Sequence, residues 1–167
     1  MKLVHYSTRP IHEVYSNIPV VGRARRHDKP VGFWVSDDDC EDNWFNWCQG
    51  ENWGLDRLKF CCEVICDQSK LLILKSKSEL SAFSHKYKTQ PFYPDLSLIG
   101  INWTKVGESY AGIVITPYIW ECRNSVNSVF HWYWGWDCAS GCIWDASIIS
   151  EIRQIPVRTL VEAEVED

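Results

Sequence analysis

The sequence predicts an α+β fold. Apolar runs of strand length recur along the chain, only a few segments show helical spacing, and those helices are dispersed among the strands. A length of 167 residues fits a single domain, Met1 to Asp167, and 46% hydrophobic against 23% charged residues is enough to bury a full core.

The elements follow in order. Lys2 to Tyr6 is a short apolar strand that carries His5, and Ser7-Thr8-Arg9-Pro10 turns the chain. Ile11 to Val21 has weak helical periodicity, and the stretch from Gly22 to Pro30 is a basic loop with Arg23, Arg25 and Arg26. Val31 to Ser36 reads as a strand entered through Pro-Val-Gly. Ser36 to Asp39 then offers a cap and acids for a helix whose Trp44, Trp47 and Cys48 share a face, and Gly50 ends it. Leu58 to Cys66 is the next strand, and Asp67 to Lys70 a turn before the apolar run Leu71 to Leu74. Ser76 and Glu79 form a capping-box pattern, followed by Leu80, Phe83 and Tyr87 at helical spacing. A loop from Thr89 to Gly100, a short helix within Ile101 to Tyr110 and a strand from Ala111 to Ile115 come next. Glu121 to Asn127 reads as a polar loop, Ile148 to Val157 as a last strand, and Glu162 to Asp167 as an acidic tail.

The densest stretch is Phe130 to Asp145, with Trp132, Trp134, Trp136 and Trp144 beside Asp137 and Asp145. Read as a strand, it sets Trp132, Trp134 and Trp136 on one face and His131 and Tyr133 on the other. A second strand, Cys142 to Trp144, would complete a hairpin that brings an acid, a hydroxyl and aromatic rings to one edge. Such an edge suits a flat, polar ligand, and equally suits plain core packing.

A net charge of −5 gives no global basic footprint for nucleic acid. Eight cysteines without a C-x-x-C pair, no apolar leader and no run long enough to span a membrane predict reduced thiols in a cytoplasmic protein. Their spacing gives no support to a zinc site. The phosphate-cradling G-x-x-x-x-G-K-[ST], the dinucleotide G-x-G-x-x-G and the nucleophile elbow G-x-S-x-G are all absent.

His5 in LVHYS, Gly32-Phe33-Trp34-Val35-Ser36, the strand from Phe60 with its D-x-S-K-L-L turn, Tyr110 to Ile115 and Ser140 to Asp145 occur in an order that resembles the ADP-ribosyltransferase superfamily. The likeness is to the diphtheria-toxin and poly(ADP-ribose) polymerase branch, including small bacterial or phage members. Trp34 stands where that branch usually has Tyr, and Ser140 where it usually has the catalytic Glu. The resemblance implies two small sheets packed around a cleft that holds NAD as substrate. It implies cleavage of the nicotinamide–ribose bond and transfer of ADP-ribose to a macromolecular acceptor, protein before nucleic acid, as in a toxin-like effector. NAD-binding positions would be His5, Tyr6, Ser7, Gly32, Trp34, Ser36 and Arg26. His5 would meet the adenosine ribose, Trp34 stack on nicotinamide, Ser36 help position the ligand, and the arginine loop face the pyrophosphate. Asp137, with Asp145 as second choice, would stabilise the oxocarbenium-like ribose beside His5.

On the residues alone, each position has a structural counterpart. His5 and Trp34 can be core residues, Ser36 a helix cap, Asp137 a turn residue and Asp145 a cap for Ser147-Ile148. A related NAD glycohydrolase, an RNA 2′-phosphotransferase, or a non-catalytic module that binds nucleotide or ADP-ribose are the competing functions.

Overall fold

The computed structural model describes residues 1–19, 29–89, 100–123 and 128–158. Arg23, Arg25 and Arg26, most of the proline-containing loop after Thr89, and the acidic tail lie outside the described residues.

The strands are β1 (Leu3–Ser7), β2 (Phe33–Asp37), β3 (Phe60–Cys66), β4 (Leu71–Leu74), β5 (Lys88–Thr89), β6 (Gly100–Ile101), β7 (Gly112–Ile115), β8 (Ser140–Ile143) and β9 (Ile149–Ile155). The helices are α1 (Trp44–Gly50), α2 (Lys77–Tyr87), α3 (Trp103–Gly107) and α4 (Trp120–Arg123). The class is α+β. β5 and β6 pair with each other, and the other strands form a seven-stranded sheet in the order β4-β7-β8-β2-β1-β3-β9. Among the described residues, the β4–β7 pairing is the one parallel pair of that sheet.

That sheet has a weak seam. β2 and β8 stay paired from Phe33↔Ile143 to Ser36↔Ser140, and β1 and β3 from Val4↔Glu63 to Ser7↔Phe60. β1 and β2 pair only at Leu3↔Asp37 and Val4↔Ser36. Beyond Val4 the two strands part, so a four-stranded half (β4-β7-β8-β2) and a three-stranded half (β1-β3-β9) diverge from a short hinge of hydrogen bonds.

Strand alternation divides the core between the two faces. Leu3, Val35, Val64, Leu71, Val114 and Ile143 pack on one. On the other lies a larger aromatic cluster, in which Trp103, Trp132, Tyr133 and Trp136 are each at most 1% exposed. Two of these rings have partners at that depth: Trp132 Nε1 donates to Ser84 Oγ at 2.7 Å and Tyr133 Oη accepts from the Ile119 amide at 3.0 Å, whereas the buried Trp136 N–H has none among the described residues. Tyr133→Phe is expected to cost about 1–3 kcal/mol because it strands that buried amide. A lower midpoint of urea unfolding at an unchanged slope would show it.

The Trp-rich stretch is not a strand. Ser128–Gly135 is a 3-10 helix, with His131 and Trp134 exposed and Trp132 and Tyr133 buried. The exposed positions are three apart, the repeat of a 3-10 turn, so Trp132 and Trp134 face opposite ways. No terminal hairpin forms: β8 pairs with β7 and β2 instead. Ile11 to Pro19 carries no helix, and its weak periodicity loses to contacts such as the Asn17 amide on the Trp144 carbonyl at 2.6 Å. Helix α1 starts later than the acidic run implied, because Asn43 and not Ser36 is its cap, accepting from the Asn46 amide at 3.0 Å. The polar stretch after Trp120 holds the short helix α4 before the chain leaves the described residues. Half of the expected capping box is present: Ser76 Oγ accepts from the Glu79 amide at 3.3 Å, while the Glu79 carboxylate accepts from the Lys75 amide, one residue before the cap, at 2.6 Å.

Candidate functional site

A cavity of about 700 Å³ opens where β1 and β2 diverge. His5, Tyr6, Trp34, Ser36 and Asp137 all line it, as does Ser140. Residues far apart in sequence thus meet because β2 lies between β1 and β8 in the sheet order.

His5 spans the seam. Its Nδ1 donates to the Trp34 carbonyl at 2.7 Å, a tautomer fixed by the carbonyl, which can only accept. Its ring lies 4.4 Å from that of Phe33. Burial lowers the His5 pKa, and the Trp34 carbonyl opposes that shift. The imidazole is therefore neutral at pH 7. A depressed folded-state value means that the unfolded chain takes up its proton first, so this contribution to stability is full above the ordinary value near 6.5 and is lost as pH falls below it. His5→Asn keeps a donor for the Trp34 carbonyl and does not titrate. Thermal melts between pH 8 and 5 are expected to show a smaller acid-side fall in Tm for this variant than for the wild type.

Trp34 stands edge-on to Trp136, ring centroids 4.9 Å apart, with the Lys29 ammonium 4.9 Å from the Trp34 ring centre. The Trp34 indole N–H is buried and has no hydrogen-bond partner among the described residues. Ser36 Oγ donates to the Ala139 carbonyl at 3.1 Å and accepts from the Trp44 amide at 2.8 Å, so it ties β2 both to the turn before β8 and to the start of α1. Ser36 and Ser140 are cross-strand partners. Ser140 Oγ donates to the Cys138 carbonyl at 3.0 Å.

Asp137 sits between two buried anchors, Trp136 and Cys138, in the link from the 3-10 helix to β8. That link sets its carboxylate in the cavity wall, 3.1 Å from the Arg123 guanidinium, with both side chains half-buried. Burial pushes the neighbouring Cys138 thiol up to about 12, so it is no nucleophile at neutral pH. All eight cysteines are free thiols.

Other expected site residues fall elsewhere. Asp145 is outside the lining. It caps the turn Ala146–Ile148, accepting from the Ser147 amide at 3.0 Å and from Ser16 Oγ at 3.4 Å, and the Ser147 hydrogen bonds hold its carboxyl below the usual carboxylate range. Ser7 Oγ donates to the Arg9 carbonyl at 2.6 Å and does not line the cavity. Gly32 serves packing, since a Cβ there would stand 2.6 Å from Cys142 Sγ and 2.7 Å from the Ile143 carbonyl oxygen. Arg26 lies outside the described residues.

The wall also contains Lys29, Trp44, Trp53 and Arg57, which sequence reasoning did not select. Trp44 was legible as a helix-face residue. For Trp53 and Arg57 the one cue was the Asn52-Trp53-Gly54 turn pattern. Among the described residues no cluster of His, Cys, Asp and Glu could hold a metal ion, and no helix is long and apolar enough to cross a membrane. The cavity thus combines a neutral imidazole, three indoles, two cations and one carboxylate, a set that suits a flat, anionic, sugar-bearing molecule. No family model matches this chain, and no curated protein or solved structure matches it.

Proposed function

We propose that the cavity binds NAD and that the protein is a mono-ADP-ribosyltransferase acting on a macromolecular acceptor, with the split sheet as an ADP-ribosyltransferase-like scaffold. The observation that carries this reading is the convergence of His5, Trp34, Ser36 and Asp137 on one cleft at the β1–β2 seam. The size and lining of the cleft suit a dinucleotide. Trp34 supplies an aromatic surface for the nicotinamide end, neutral His5 a hydrogen bond to a ribose, and Lys29 and Arg57 charge for the pyrophosphate.

In the reaction, the bond between ribose C1′ and the nicotinamide nitrogen breaks, and its electron pair stays on that nitrogen, which becomes neutral. Positive charge develops on the ribose, where the Asp137 carboxylate stabilises it. An acceptor nucleophile forms the new bond to C1′ and releases its proton to water. The test is incubation of the purified protein with adenylate-labelled NAD and a cell lysate, following free nicotinamide and the label together. Both released nicotinamide and a labelled macromolecule are expected. Free ADP-ribose without a labelled acceptor would instead make the protein a glycohydrolase.

One second reading has its own support. Ser140 occupies the cross-strand position opposite Ser36, and Asp137, the carboxylate of the wall, is ion-paired with Arg123. These features favour a module that binds NAD or ADP-ribose without turnover. Saturable binding of ADP-ribose with no nicotinamide release over many hours would select it.

A further inference from the structure

We infer that Trp53 and Arg57 form a purine-nucleotide subsite at the mouth of the cleft, with Trp44 and Trp47 as its backing. The inference rests on the nucleotide reading of the cavity and assigns one end of it.

Trp53 is 46% exposed and, unlike the similarly exposed Trp120 and Trp134, lines the cavity. It is nonetheless held in place. Trp44 and Trp47 stack on each other at 5.0 Å and 14°, and Trp53 meets both edge-on, at 5.6 and 5.7 Å. Its neighbours Asn52 (φ 48°) and Gly54 (φ 62°) are both left-handed. Asn52 is the left-handed residue of a Schellman motif that ends α1, in which the Trp53 amide donates to the Cys48 carbonyl at 2.9 Å and the Asn52 amide to the Gln49 carbonyl at 3.3 Å. The turn therefore fixes a large flat ring at the cleft rather than folding it into the core.

Charge completes the subsite. The Arg57 guanidinium carbon lies 5.3 Å from the Trp53 ring centre, and both residues line the cavity. An aromatic platform with an adjoining guanidinium matches a nucleobase joined to a phosphate. The chain is acidic overall, at −5, which favours a single nucleotide over a nucleic-acid strand. Trp34 and Lys29 form a separate ring–cation pair, so the cleft has two such pairs for the two ends of a dinucleotide.

Calorimetric titration of the full chain with AMP, ADP-ribose and nicotinamide mononucleotide tests this. In Trp53→Ala, AMP and ADP-ribose are expected to bind roughly ten- to a hundredfold more weakly, the value of one base–indole stack. Trp53→Phe should recover part of the loss. Nicotinamide mononucleotide, which lacks the purine, should behave as with the wild type. Arg57→Ala should weaken AMP but not adenosine, and it supplies the test should Trp53→Ala not fold. Wild-type affinity for ADP-ribose in Trp53→Ala would overturn the subsite and leave the cleft reading standing. An equal loss for nicotinamide mononucleotide would also overturn it. A wild-type protein that binds neither NAD nor ADP-ribose would end both.

Discussion

Asp137→Asn is expected to slow nicotinamide release from NAD about a hundred- to a thousandfold, the range seen when one preorganised charge-stabilising group is removed. Its effect on NAD affinity should be small, because the substituted side chain keeps its size and one acceptor oxygen. The loss should therefore fall in kcat rather than in KM, as for an interaction made in the transition state. Part of the Asp137 charge is already engaged by Arg123 at 3.1 Å. Removing the carboxylate leaves the half-buried Arg123 guanidinium, which lies behind Asp137 and outside the cavity lining, without this partner, and its positive charge would add to the loss. Asp145→Asn is the matched control. That side chain caps a turn outside the cavity, so at most about 1 kcal/mol of stability should go, with unchanged turnover. Equal rates for Asp137→Asn and wild type would remove Asp137 from the chemistry. Equal losses for both aspartates would point to general destabilisation.

The positions of the two aspartates show how far sequence reading reached. Strands β1, β2, β3 and β7 were legible because each is a short apolar run closed by turn residues, and α2 because its Ser76 cap and its apolar spacing agree. Pairing was not legible, since no local pattern says that β8 inserts between β7 and β2. That insertion puts Asp137, just before the strand, at the cavity and leaves Asp145, just after it, outside the lining. The alternating indoles at 132, 134 and 136 misled because a run of three Trp fits period two as well as any strand would. Burial shows the opposite, with Trp132 and Trp136 inside and Trp134 half exposed. Such a run can also wind as a 3-10 helix when the surrounding core offers Ser84 and Ile119 as partners. The seam that opens the cleft depends on where β1 and β2 stop pairing, which is a property of twist and packing between distant residues.

Gly141→Ala is expected to cost more than about 3 kcal/mol, enough to threaten a domain whose total stability is about 5–15 kcal/mol. The cause is space and not backbone freedom, since Gly141 is absent from the left-handed positions, Asn52 and Gly54, among the described residues. It lies in the interior of β8, opposite Val114 on one side and Val35 on the other. A Cβ there would press into the Ile113 carbonyl oxygen and stand 2.6 Å from Val114 Cγ2 and 3.0 Å from Val114 Cα. Two of those three atoms are backbone of β7, so no rotamer change relieves the clash. The β7–β8 ladder would have to open, and Ser140 with the link carrying Asp137 would shift along with it. The variant should therefore lose cooperative unfolding or melt many degrees lower, and bind nucleotide poorly for the same reason. Gly50→Ala separates this from any general effect of adding a methyl group. Gly50 closes α1, and a methyl group added there would meet no atom within 4 Å, so alanine should be neutral or should stabilise by about 0.5–1 kcal/mol through helix propensity. A Gly141→Ala protein within about 1 kcal/mol of wild type by urea unfolding would mean that β7 and β8 do not approach so closely, and the wall that holds Ser140 and Asp137 would need redrawing.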